Sequence, residues 1–159
     1  MPRIAISGHR GLPPATAQLV QDALTVALER VPGSSLVGVS CLADGADALF
    51  AEAVLARGGR LAVVVPAVEY RDGLPAEHHA TYDRLLDSAE EVHRLDFQAS
   101  TSEAHMAASE RMLDLAEELF AVWDGLPARG HGGTADVVAS ARRRGMSLTV
   151  VWPPGAQRG

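Results

Sequence analysis

The residues that could do chemistry lie in short polar stretches that each follow an apolar run. The richest is Gly130-His131-Gly132-Gly133-Thr134-Ala135-Asp136, set between Leu119-Phe120-Ala121-Val122-Trp123 and the helical pattern Val137 to Arg142. Strand, glycine loop and helix in that order build an anion pocket. Glycine lets the backbone approach a ligand closely, and the first N–H groups of a helix lack partners inside it. Phosphate placed there gains hydrogen bonds and the positive end of the helix dipole. Gly130, Gly132, Gly133 and Thr134 are therefore candidate phosphate ligands, with Thr134 able to cap the helix or donate its hydroxyl. A tight strand-to-helix turn without a ligand satisfies the same pattern.

Other stretches repeat the arrangement. In Ser7-Gly8-His9-Arg10, the Arg10 guanidinium could fork onto a phosphate or carboxylate, or pair on the surface with Asp44 or Asp47. His9 could orient a ribose or move a proton, or stand exposed in a loop. Asp44-Gly45-Ala46-Asp47 reads as a capped helix start, and Gly45 suggests close backbone approach, which a ligand could make. Asp124 could hold sugar hydroxyls, with Trp123 beside it for stacking. Asp136 and Glu69 are the carboxylates that could stabilise an oxocarbenium ion or activate water.

Several chemistries are argued against. His78 and His79 are adjacent, so on a helix they point about 100° apart, and there is no His-x3-His pair; no metal site is expected. The sequence has neither a G-x-S-x-G elbow nor a G-x-G-x-x-G fingerprint after its first strand, and no cofactor is expected. Every basic residue is arginine, which removes Schiff-base and Walker-lysine chemistry. The run Arg142-Arg143-Arg144 suits a helix C-terminus.

The elements that must position these residues alternate strand and helix along 159 residues of 47% hydrophobic content, enough for one core. Strands are expected near 3–6, 36–39, 61–65, 91–95, 119–123 and 147–152, the third closed by Pro66. Helices are expected near 14–31, 44–55, 77–89, 102–118 and 134–144, with Thr101 or Ser102 capping the fourth. This predicts an α/β, three-layer, Rossmann-like doubly wound parallel sheet of about six strands, order 3-2-1-4-5-6. Residues 1–153 form the single domain and 154–159 a flexible tail. A net charge of −6 argues against nucleic acid as a partner. One cysteine and no signal-like or membrane-length segment fit a cytoplasmic protein with no membrane partner.

The pieces Ile6-Ser7-Gly8-His9-Arg10, Leu42-Ala43-Asp44-Gly45-Ala46-Asp47, Glu69-Tyr70-Arg71, Ala121-Val122-Trp123-Asp124-Gly125 and Gly132-Gly133-Thr134-Ala135-Asp136 resemble, in order, the SLOG superfamily. That group includes LOG-type phosphoribohydrolases, YpsA-like proteins and DprA. The resemblance implies a Rossmann-like fold that binds or senses a nucleotide or nucleotide-sugar, and it suggests a homodimer. Helices 77–89 and 102–118 have apolar faces that could bury against a second copy. LOG-like cleavage of the N-glycosidic bond of a nucleoside monophosphate is the alternative. The hydrolases carry Pro-Gly-Gly-x-Gly-Thr-x-x-Glu; here Gly133-Thr134 matches, but Val137 stands at the glutamate position and Asp136 comes one residue early. Enzymatic activity is left open by these residues.

Overall fold

The computed structural model describes residues 2–127 and 133–158. Six parallel strands form one sheet: β1 (Arg3–Gly8), β2 (Val37–Ser40), β3 (Arg60–Ala67), β4 (Glu91–Phe97), β5 (Glu118–Val122) and β6 (Ser147–Val150). Five helices connect them: α1 (Pro14–Leu28), α2 (Ala46–Ala56), α3 (His79–Asp87), α4 (Ser102–Asp114) and α5 (Thr134–Arg143). α1, α2 and α3 pack in one layer and α4 with α5 in the other, as right-handed crossovers require. The doubly wound α/β class expected from the sequence is what forms.

The strand order is β4-β3-β2-β1-β5-β6. β4 therefore sits at the edge beside β3, whereas the order expected from the sequence placed it between β1 and β5. Its residues explain the position. Exposure alternates along it, with Val92, Arg94 and Asp96 facing solvent. A central strand of a parallel sheet is apolar on both faces, as β1, β3 and β5 are. β3 also runs through Pro66 to Ala67 rather than ending at the proline. Proline has no N–H to donate, and the β3–β4 register shifts between Val65 and Ala67 to accommodate it.

The consequence is a switch point between β1 and β5. Chain order runs away from β1 on both sides, and α4 crosses back from the β4 edge to β5. β1 and β5 pair from Ile4–Glu118 to Gly8–Val122, so both end at the same level. Gly8 is fixed by packing: a Cβ there would lie 2.4 Å from the Ala46 Cβ and 2.8 Å from the Val122 Cβ. α2 can start directly above β1 only because Gly8 has no side chain. Residues 151–158 do not trail away: the Gln157 N–H donates to Thr16 Oγ1 at 2.9 Å, which lays this segment along the start of α1.

Gly8→Ala is expected to cost about 1–3 kcal/mol of stability through overpacking, measured by urea denaturation. Unchanged stability would contradict this account of the β1–α2–β5 junction.

Candidate functional site

Beyond the carboxyl ends of β1 and β5 lies a pocket of about 320 Å³, at the low end of the range for small-molecule sites. β1 and its exit deliver Ser7, Gly8, His9 and Arg10; α5 delivers Gly133 and Thr134. These six are the sequence-derived candidates that the fold brings together around one cavity. Gly130 and Gly132, with His131, lie outside the described residues.

The remaining candidates are placed elsewhere. Asp44 holds Arg10, accepting from its Nε at 2.9 Å and its Nη2 at 2.8 Å, and also accepts the Gly11 N–H. The close approach at Gly45, φ 91°, is made by the chain itself: a Cβ would lie 2.6 Å from the His9 carbonyl oxygen. Asp124 accepts the Leu126 N–H at 3.0 Å and lies 3.4 Å from Arg158 Nη1. Burial works to raise its carboxyl, but Leu126, His9 and Arg158 hold it below its ordinary value. Trp123 donates its indole N–H to the Leu126 carbonyl, and the Arg142 guanidinium lies over its ring. Glu69 is exposed and accepts from Gln98. Asp136 sits in the first turn of α5, outside the pocket lining seen among the described residues.

His9 is a junction as much as a wall. It is 6% exposed. Its N–H donates to the Val122 carbonyl, and its carbonyl accepts from Ala46 at the start of α2. The Asp124 N–H donates to Nε2 at 3.1 Å. The same Nε2 lies 3.4 Å from the Asp124 carboxylate Oδ1, so main chain and side chain of Asp124 both meet this ring nitrogen.

The amides of the first α5 turn divide in two. Those of Asp136 and Val137 donate to the Gly133 carbonyl, which leaves those of Thr134 and Ala135 as the ones able to face the cavity.

The floor comes from residues that were not among the ligand or catalytic candidates, although Asp47 and Tyr70 stand within the quoted motifs. Asp47, in the first turn of α2, lines the pocket and is half-buried. Burial pushes its carboxyl from 3.8 up to about 7, against the Ala43 N–H and Arg10, which lower it, and with Asp44, which raises it. Cys41 and Tyr70 beside it are also raised, chiefly by burial. His105 reaches Ser100 Oγ at 2.7 Å and packs edge-on against Tyr70; burial, then Arg10, lowers its pKa. The Cys41 Sγ lies 3.6 Å from Met112 Sδ. Leu42, between Cys41 and Ala43, has φ 60° and a fully buried side chain. Its N–H donates to Ser40 Oγ and its carbonyl accepts from His78 Nε2, which holds this strained turn against the pocket. His105, Ser109 and Met112 arrive because α4 crosses beneath the switch point. Among the described residues no cluster of three metal-ligating side chains occurs.

No protein-family model matches the chain, and no curated protein matches it. Solved structures do. DprA from Streptococcus pneumoniae superposes with a TM-score of 0.68 at 18% identity, covering 98% of this chain and 52% of that one. DprA from Helicobacter pylori, described for its single-stranded DNA binding mode, gives 0.69 at 16% identity, over 99% of this chain and 68% of that one. The molybdenum cofactor binding protein of Rippkaea orientalis gives 0.60 at 12% identity, over 96% and 77%. The chain thus spans about half the length of the first DprA structure. At these identities the likeness establishes the Rossmann-like fold, and DprA is one of the proteins that the sequence motifs resemble. Among the described residues no helix is long and apolar enough to cross a membrane.

The raised Asp47 carboxyl has a consequence for stability. The folded protein keeps this proton through a range in which the unfolded chain, near 3.8, has lost it. Its contribution is therefore fully present below pH 3.8 and is lost as the pH rises to about 7. Urea denaturation between pH 4 and 8 should show wild type declining relative to Asp47→Asn by an amount on the order of 2–4 kcal/mol. Parallel profiles would contradict the assignment.

Proposed function

We propose that this chain is a binding or sensing module for a phosphorylated, nucleotide-derived small molecule. The phosphate sits between Arg10, Ser7, Gly133 and Thr134, over the first turn of α5. The observation that carries the reading is the convergence of these groups on one pocket at the β1–β5 switch point, where doubly wound sheets hold their ligands. Asp44 engages Nε and Nη2 of Arg10 and so orients the guanidinium, whose Nη1 side is then the one to meet a ligand oxyanion. The fold is shared with proteins that bind molybdenum cofactor, so a small-molecule occupant has structural precedent. It is also shared with a single-stranded DNA binder, but here a net charge of −6 opposes a polyanionic backbone.

One observation favours hydrolysis as a second reading: Asp47 in the pocket has a carboxyl near 7, the value suited to a general acid or base. In a LOG-like cleavage of a nucleoside monophosphate, Asp47 is then the carboxylate in place. Asp136 and Glu69 are not among the described residues that line the cavity. Release of free base by wild type and not by Asp47→Asn is the test of this second reading.

Thermal-shift titration with AMP, ADP-ribose, ribose 5-phosphate and a short single-stranded DNA separates the readings. AMP or another phosphorylated small molecule should raise Tm, adenosine should not, and Arg10→Ala should weaken binding about tenfold or more. A response to DNA alone, or to nothing at millimolar concentration, would overturn the proposal.

A further inference from the structure

The C-terminal segment does more than close the fold. From β6 the chain continues with the Val151 N–H donating to the Ala121 carbonyl at 2.8 Å. Trp152 then packs edge-on against His9, ring centres 5.5 Å apart. The Gln157 N–H is held by Thr16, a buried hydroxyl on α1. These fixings turn the chain back over the carboxyl rim and set Arg158 in the wall of the pocket, its side chain 18% exposed.

The partner that Arg158 meets there is a weak one. Asp124 Oδ2 lies 3.4 Å from Nη1, beyond the usual 2.7–3.2 Å of an N–H···O bond. Asp124 is also shared with Leu126. A guanidinium has five N–H donors, and sequestering one with a single long contact among the described residues is costly unless an anion completes its shell. Arg10 lines the same cavity, but its carboxylate partner Asp44, outside the lining, holds it at 2.8–2.9 Å. Asp44 is thus a positioning residue for Arg10, whereas Arg158 is placed by the fixings of Val151, Trp152 and Gln157.

We propose that Arg158 is the second cation of the anion site, and that the pair selects a phosphomonoester dianion over singly charged or neutral analogues. This rests on the phosphate reading above. Residues 151–158 are then part of the binding site, and any change that frees them weakens binding without touching the glycine loop.

Calorimetric titration of the full chain with AMP, and separately with inorganic phosphate, tests this. Arg158→Ala should weaken AMP binding at least tenfold and make affinity less dependent on salt. Arg158→Lys, which keeps the charge but not the fork, should fall between. Arg158→Gln keeps most of the side chain and should match Arg158→Ala, which guards against a misfolded alanine variant; unchanged melting temperature separates loss of binding from loss of fold. Thr16→Val, which removes the acceptor for Gln157 and so loosens the segment that sets Arg158, should weaken binding although neither arginine is substituted. Wild-type affinity in both Arg158→Ala and Arg158→Gln overturns this inference and leaves the phosphate reading standing. No binding of either probe by wild type overturns both.

Discussion

The site depends on how His9 is held. Several contacts meet at this residue: its N–H on Val122, its carbonyl on the Ala46 N–H, its Nε2 on the Asp124 N–H and carboxylate, and its ring on that of Trp152. They bind the end of β1 to β5, to the start of α2 and to the segment after β6. His9 itself is buried, so losing one of its hydrogen bonds leaves a polar group short of both water and a partner. Holding His9 in this way also fixes where its neighbours Gly8 and Arg10 leave β1. Ser7 and Gly8 face the cavity from below, and Arg10 leaves the junction toward Asp44.

The order of the strands then decides which groups share the cavity. With β4 at the far edge, α4 must travel beneath the sheet to reach β5, and it carries His105, Ser109 and Met112 to the floor of the pocket. A sheet with β4 in the centre would bring β4's polar residues there instead. The result is a cavity with two kinds of lining. Arg10, Arg158, Ser7 and the start of α5 offer cations, hydroxyls and amides, and Cys41, Tyr70, His105 and Met112 offer less polar surface, with Asp47 as the carboxylate among them. That division suits a ligand with a charged group and a flatter, less polar part.

Much of the fold was legible in the sequence because its signals are local. Apolar runs such as Leu61 to Val65, each followed by glycine and polar residues, announce buried parallel strands and a functional rim. The Thr101 cap is equally local, and its side chain does accept from Ala104. Strand order was not legible in the same way. Val92, His93 and Leu95 read as a strand, yet only the alternation of exposed charges along β4 marks it as an edge. Glycines proved ambiguous for a physical reason. Gly45 and Gly8 do accommodate close backbone approach, but what approaches is His9 and Ala46 of the same chain, and a sequence cannot distinguish that from a ligand. Asp44 and Asp47 look alike as residues of a helix start; the turn at Gly45 sends one to Arg10 and the other into the cavity. Arg158 had no motif at all, since its place depends on where residues 151–158 dock.

A crystal structure of the chain grown with AMP tests the central claim most directly. The account predicts the phosphate within hydrogen-bond distance of the Arg10 guanidinium and the Thr134 hydroxyl or N–H, with the base toward Asp47 and Tyr70. A phosphate bound away from the β1–β5 junction, or reversed so that the base meets Arg10, would contradict it.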